Sequence, residues 1–316
     1  MSSADDVPPL SGFTLIKNAT RREYPVEAVL RTLRRVCDEV VVNVGESEDD
    51  TLERVRAVAE EAGPVHAGER GPTDVDGRTG ADVRILRRRW PEEFDNHLKE
   101  LSDESNRALE ACEHDWALYL QADELLHEDD VPALRRALAR ADDDGRAEGL
   151  LFDFLHFHGS PGWVLEGRRR YRREVRLVRR GAGVRSVRDA QGFRVGGEGG
   201  RKPRVLRSGA RVFHYGYVKS REGLDRKRRL WRRWFGEDAG EDVSFTFYRY
   251  RGLRRFEGEH PEAIRPWLAE RTWAFDPDEA EPPPRNLRTL KVRISDAIER
   301  RTGHRLFEHR NYRLLR

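Results

Sequence analysis

Three short runs constrain the fold of this chain more than anything else in it. FTLI (13–16), EVVVNV (39–44) and WALYL (116–120) are too short for buried helices and rich in β-branched or aromatic residues, which reads as three buried strands. Between them the apolar period changes. Val26, Val29, Leu30, Leu33 and Val36 fall at helical spacing after Pro25, a residue tolerated in a first turn. TLERVRAVAEEAG (51–63) reads as a helix closed by Gly63, and PVHA (64–67) as a short strand. Leu98, Leu101, Ala108, Leu109 and Cys112 mark the apolar face of a further helix. Strands alternating with helices imply an α/β fold, with a mostly parallel sheet covered on both faces. Ligands of such sheets sit beyond the carboxyl ends of the strands. Asn18, Asn43 and the step Gln121-Ala122-Asp123-Glu124 each stand where a strand runs out, so one crevice lined by three polar strand ends is predicted.

The second half changes character. GLLFDFLHFHGS (149–160), YRREVRLVRR (171–180) and ARVFHYGYV (210–218) are strand-like, and VGGEGGRK (195–202) reads as a hairpin loop. A basic, aromatic helix is predicted over 219–235, a Pro-rich linker at 276–285, and a short helix with a tail at the end. The chain therefore divides into a tail (1–11), a main domain (12–235) and a helical extension (236–316). The main domain comprises an α/β half (12–148), a smaller mixed β region (149–218) and the basic helix.

Composition narrows the partners. No run of about 18 apolar residues suggests a membrane span, and the acidic start MSSADDVPPL lacks the pattern of a signal peptide. Cys37 and Cys112 offer neither a disulfide framework nor metal-ligand spacing, which sets a reducing, cytoplasmic expectation. The net charge is only +3, but carboxylates crowd 38–61 while 168–180 holds eight arginines against Glu174 alone. That asymmetry predicts an anionic partner. No nucleic-acid motif accompanies it, so nucleic acid is not expected. A nucleotidyltransferase would need a Gly-rich phosphate loop after the first strand, and IKNATRRE has none.

At the QADE step, carboxylates fixed by a buried strand suit a hard divalent cation that also binds phosphate oxygens. Asp123 is the ligand candidate, while Gln121 is a neutral hydrogen-bonding group. Asp129 and Asp130, just ahead of VPALRRAL, read as helix caps.

From GFTLIKNA through DEVVVNVGESEDDT and ESNRALEACEHDWALYLQADE, the chain resembles the nucleotide-binding half of a family 2 glycosyltransferase of the GT-A fold. Further on, GLLFDFLHFHGS, RRRYRREVRLVRR, VRDAQGF and VFHYGYV resemble a bacterial subgroup of that family. The likeness covers about 12–235, with QAD standing where the family carries Asp-X-Asp, Asn43 where it carries Asp, and Ala19 where it carries Glu. It implies a nucleotide-sugar donor, a glycan or lipid-linked acceptor, inverting transfer, and manganese or magnesium on the diphosphate. Asn18 and Asn43 would line the base and ribose pocket, Asp123 would contact the metal, and Gln121 would face the ribose or a metal-bound water. The loss of the first Asp weakens the expected metal site, and a non-catalytic nucleotide- or glycan-binding relative stays open.

Inverting transfer needs a carboxylate to take the acceptor's proton. The resemblance places Asp189 there, with Glu174 as the alternative. It also makes His214 a candidate for the metal shell; neutral imidazole is an acceptable ligand. His156 and His158 alternate on one strand face but lack a third partner. Arg173 and Arg176 are candidates for clamping the diphosphate, since guanidinium pairs bidentately with phosphate. Asn106 and Arg107 are candidates for contact with the donor. The helix at 219–235, with Leu224, Arg228, Trp231 and Phe235 on one face, suits an anionic membrane surface or packing against the main domain or a second subunit.

Overall fold

The structure, a computed structural model, describes residues 7–61, 81–90, 97–234, 244–271, 273, 275–303, 305, 308 and 310–315. The first half runs β1 (Leu10–Ile16), α1 (Val26–Val36), β2 (Glu39–Gly45), α2 (Thr51–Glu60), β3 (Asp82–Arg88), α3 (His97–Ala111), β4 (Trp116–Tyr119), β5 (Glu124–Leu126) and α4 (Val131–Asp144). There follow β6 (Gly149–His158), β7 (Ser160–Leu165), β8 (Arg173–Arg179), β9 (Val184–Val187), β10 (Gly192–Val195) and β11 (Arg204–Tyr217). The chain ends with α5 (Arg221–Trp234), β12 (Leu253–Arg255), α6 (Arg265–Ala269), α7 (Leu287–Thr302) and β13 (Arg313–Leu314).

Side chains alternate across a strand, and here the alternation sorts two cores. Val40, Val42 and Val44 of β2 and Trp116 and Leu118 of β4 join Val29, Leu30 and Leu33 of α1 on one face. Phe13, Val41, Ala117 and Tyr119 join Ala108 and Leu109 of α3 on the other. Each fully buried Val or Leu contributes about 1.5–3 kcal/mol, so slipping β2 by one residue would expose its valines to the wrong face. The helical face expected for α1 is buried as its spacing predicts.

β1 pairs in parallel with β2 on one side and with β4 on the other, and β2 with β3. The strand order thus reverses between β1 and β4, the place where open α/β sheets bind ligands. Beyond β4 the sheet continues through antiparallel β8, β6 and β7. The mixed second-half strands are therefore extensions of the same sheet, which has eleven strands among the described residues. The C-terminal extension is not only helical, because β12 pairs with β7 and β13 with β11.

Two local expectations change. Asp130 makes no side-chain cap on α4; its carboxylate accepts from the backbone and guanidinium of Arg211 at 2.9–3.0 Å. Asp129 is not a cap acceptor either: its N–H donates to His127 Nδ1 at 3.2 Å. A guanidinium offers a carboxylate two parallel bonds, which one helix N–H cannot match. Gly63, the PVHA strand and Phe235 lie outside the described residues. Among those described, no helix is long and apolar enough to cross a membrane.

Candidate functional site

A cleft of about 830 Å³ opens beyond the carboxyl ends of β1 and β4 and is roofed by α5. Asn18, Gln121, Asp123, Asp189 and His214 all line it. The chain leaves β1 through Asn18, which has a left-handed φ of 54°, a conformation Asn tolerates better than most residues. Asn18 Oδ1 accepts from Glu48 N–H at 2.8 Å, and its own N–H donates to Ser47 Oγ at 2.9 Å. Ala19 N–H donates to Thr51 Oγ1 at 2.7 Å and Arg21 N–H to Asp49 Oδ2 at 2.9 Å. The acidic GESEDDT turn therefore fixes the loop after β1 by hydrogen bonds.

Asp123 and His214 meet because β5 follows directly after the QAD step and pairs antiparallel with β11, Glu124 opposite His214. On the next strand His156 stands in register with His214, and the two Nδ1 atoms are 2.9 Å apart. His156 Nε2 lies 2.8 Å from the Tyr171 carbonyl oxygen. A carbonyl only accepts, so His156 Nε2 carries the proton and its Nδ1 is a lone pair. His214 Nδ1 must then donate to it, leaving His214 Nε2 as a lone pair. Burial holds both imidazoles well below the usual histidine pKa; a proton on His214 would lower His156 further, and Lys227 lowers His214. Both are neutral at pH 7.

His214 Nε2 is 3.7 Å from Asp123 Oδ2, two acceptors facing one another. Gly216 keeps the space between them open, since a Cβ there would lie 2.6 Å from His214 Nε2 and 2.7 Å from Asp123 Oδ2. Lys227 Nζ stands 3.9 Å from Asp123 Oδ2 and donates to the Gly216 carbonyl at 2.8 Å. Among the described residues, nine cationic side chains line the cleft against three carboxylates, Glu48, Asp123 and Asp189. Arg170 lies over the Tyr217 ring at 4.0 Å, and the buried Lys219 lies over Tyr24 at 4.2 Å. Burial, reinforced by Lys227, brings the Lys219 pKa down to about 7.

Asp189 sits in the turn between β9 and β10, flanked by Arg188 at φ 56° and Ala190 at φ 57°. Left-handed non-glycine residues on either side of it cost about 1–3 kcal/mol each. Between them the half-buried Asp189 lines the cleft. Gln121 Nε2 donates to the Ala190 carbonyl at 3.3 Å, tying this turn to the end of β4.

A clasp joins the loop after β1 to α5. Glu23, at φ 52°, accepts from Ser220 N–H at 2.7 Å and from Arg226 Nη2 at 3.0 Å. Lys219 Nζ donates to the carbonyls of Arg22 and Glu23. Gly223 lets the carboxylate approach, since a Cβ there would collide with it.

Several expected site residues lie elsewhere. Asn43 is fully buried and donates to Glu104 Oε2 at 2.7 Å and to the Glu104 carbonyl at 2.9 Å. Asn106 binds Ser186 in both directions at 2.8 and 3.0 Å, joining α3 to β9, and Arg107 pairs with Glu104 at 3.3 Å. Arg176 is wholly buried and clamped bidentately by Glu124 at 2.7 and 2.8 Å, so it holds β8 to the QADE step and offers no free fork to a diphosphate. Arg173 pairs with Asp153 at 2.6 Å and faces a separate basic cleft. Glu174 is buried against Asn311, and burial raises its pKa, away from the cleft that holds Asp189. On α5, Leu224 packs inward, Trp231 edges the cleft and Arg228 bonds the Ser244 carbonyl.

The sequence shows no sign of the His156–Tyr171 relay, and it offers Arg170, Lys219 and Lys227 only as members of the basic run at 168–180 and of the basic helix, without singling them out for the cleft. The alternation in LHFH showed His156 and His158 sharing a face, but the β6–β11 register that sets His156 beside His214 has no local signal.

No protein-family model and no curated protein matches the chain. Among solved structures, it is similar to S. aureus TarS 1-349 in complex with UDP-GlcNAc at 17% identity, covering 48% of this chain and 35% of that one, TM-score 0.30. M. tuberculosis glucosyl-3-phosphoglycerate synthase matches at 19% identity over 49% and 47% of the two chains, TM-score 0.31. A mannosyltransferase from Pyrobaculum calidifontis in complex with GDP-Man and Mn2+ matches at 16% over 49% and 37%, TM-score 0.32. The chain thus spans less than half the length of each, and the likeness is confined to about half of its own residues.

Proposed function

We propose that the chain is a glycosyltransferase of the GT-A type that moves a sugar from a nucleotide-activated donor to an acceptor hydroxyl. The observation that carries this reading is Asp123 Oδ2 facing the unprotonated His214 Nε2 across 3.7 Å, in a cation-lined cleft at the strand-order reversal. A carboxylate oxygen suits manganese or magnesium, and an imidazole lone pair beside it favours manganese, the softer of the two. The His156–Tyr171 relay, which fixes the imidazole's tautomer and direction, is the support metal-binding histidines require. Among the described residues no group of three His, Cys, Asp or Glu could hold a metal ion, so the remaining ligands would come from diphosphate and water. Asp123 and His214 would hold the ion, which when bound would neutralise charge on the departing diphosphate.

The chain's own residues supply the rest. Lys227, Lys219 and Arg170 draw the diphosphate into the cleft and offset the charge that grows on it as the glycosidic bond breaks. Asp189 accepts the acceptor's proton while the acceptor oxygen bonds to the anomeric carbon, and the bonding pair leaves with the diphosphate. Attack from the side opposite the leaving group inverts the anomeric centre. Gln121 steadies the turn carrying Asp189.

Lys227, 3.9 Å from Asp123, favours a second reading in which a lysine does the neutralising and no metal is needed. Thermal-shift measurements with UDP-, GDP- and dTDP-sugars, with and without manganese, separate the two. Ligand binding stabilises by mass action, so at least one donor is expected to raise Tm, more so with manganese, and Asp123→Ala to abolish the manganese increment. A manganese-independent shift unchanged by Asp123→Ala supports the lysine reading, and no shift with any donor sinks both. Product analysis with Asp189→Asn then separates a transferase from a binding protein.

A further inference from the structure

α7 is seated with its polar side inward. Thr289 and Ser295 are buried beneath it. Asp296 Oδ1 accepts from Arg168 N–H at 3.3 Å, and Thr289 Oγ1 from Arg169 Nη2 at 3.4 Å. Glu299 pairs with Arg172 at 3.2 Å and Arg305 at 3.4 Å. The apolar side faces outward: Leu287 is 77% exposed, Leu290 50% and Ile294 53%. Spaced three and seven residues from Leu287, they form one stripe along the helix. Such a stripe normally faces a core, and among the described residues nothing covers it.

The charge on that side says what would cover it. Both carboxylates of α7, Asp296 and Glu299, are engaged by the body of the protein. Lys291 and Arg293 are exposed beside the stripe, with Arg285 just upstream, and among the described residues no ion pair holds any of them. The outer face is therefore apolar and cationic. A two-fold contact with a second copy would set the same cationic patch against itself. An anionic lipid surface accepts both features, with apolar side chains entering the headgroup boundary and cations meeting the phosphates.

We propose that α7 docks this chain onto an anionic membrane surface. Arg169 bonds α7 and also lines the cleft beside Arg170, so a docked helix holds the cleft near the lipid. On the transfer reading above, that points to a lipid-linked acceptor; the docking itself does not depend on that reading.

The test is co-sedimentation of the full chain with phosphatidylcholine vesicles, with and without phosphatidylglycerol. Binding to the anionic vesicles is expected to exceed binding to the neutral ones by about tenfold or more and to weaken with added salt. Leu287→Ser/Leu290→Ser/Ile294→Ser and, separately, Lys291→Glu/Arg293→Glu are each expected to cut anionic binding by about tenfold or more. All of these positions are exposed, and unchanged Tm and unchanged donor-induced thermal shift would show the variants folded. Failure of the wild type to bind anionic vesicles, or equal binding by both folded variants, overturns the proposal. So does a wild-type dimer in solution that the triple serine variant converts to monomer. A failed donor screen with intact vesicle binding would instead count against the transfer reading alone.

Discussion

On β8, Arg173 is met by Asp153, Arg176 by Glu124, and Arg179 by Asp115 and Asp142. On α5 and just ahead of it, Lys227 and Lys219 turn into the cleft, where few carboxylates oppose the cations. Both segments are dense in positive charge, with arginine at three of seven positions in β8 and six of fourteen in α5. The difference lies in the surrounding acids: Asp153 on β6, Glu124 on β5, Asp115 just ahead of β4 and Asp142 on α4 all answer β8. A strand inside the sheet is enclosed by elements that answer its charges, whereas a helix roofing a cleft faces a void. Charge density marks an anion site only where the fold withholds counter-charges.

Breaking β8 should cost the most. Arg176→Ala strands Glu124 as a buried unpaired carboxylate and is expected to lower stability by about 3–5 kcal/mol, read as a fall in the urea midpoint. Glu124→Leu with Arg176→Met should recover most of that. If Arg176→Ala costs stability little but abolishes donor binding, the contrast with α5 collapses. Lys227→Ala should do the opposite, weakening donor affinity about tenfold, roughly 1.4 kcal/mol, in calorimetry while leaving the urea midpoint nearly unchanged.

The pH dependence sharpens the same contrast. Lys219 has a folded pKa of about 7, below its unfolded value. It is charged in the fold below pH 7 and neutral above, so donor affinity should fall several-fold as pH rises from 6 to 8, and Lys219→Met should flatten that profile. In the same group the unfolded chain binds more protons than the fold between about pH 7 and 10.4, so its contribution to stability rises across that window. Arginines on β8 stay charged throughout. Arg173→Ala, the smallest effect, should shift stability by less than about 0.5–1 kcal/mol and leave donor affinity unchanged.

Much of the frame was legible because it rests on local periodicity. The strands β1, β2 and β4, the buried face of α1, and the exits at Asn18 and Asp123 follow from apolar spacing alone; β3, with three arginines and partly exposed side chains, and the three-residue β5 were not read from it. Asp189 and His214 came from resemblance, and the structure gathers both with Asp123 in one cleft. Asn43 and Arg176 were misjudged for one reason: a polar residue at a strand end is free only if no neighbour claims it. Glu104, 61 residues away, claims Asn43, and Glu124 claims Arg176. The His156–His214 pairing likewise depends on the register between β6 and β11, set by long-range packing.

The Glu23 clasp carries a consequence for how such a molecule changes over generations. Glu23, Ser220 and Gly223 meet across roughly two hundred residues of chain, and the absent side chain at 223 is what lets the carboxylate in. An alteration at 223 evicts Glu23; an alteration at 23 leaves the start of α5 and Arg226 without their acceptor. The three positions should therefore be inherited together, and a lineage that reshapes the loop after β1 must redesign the roof helix in the same step.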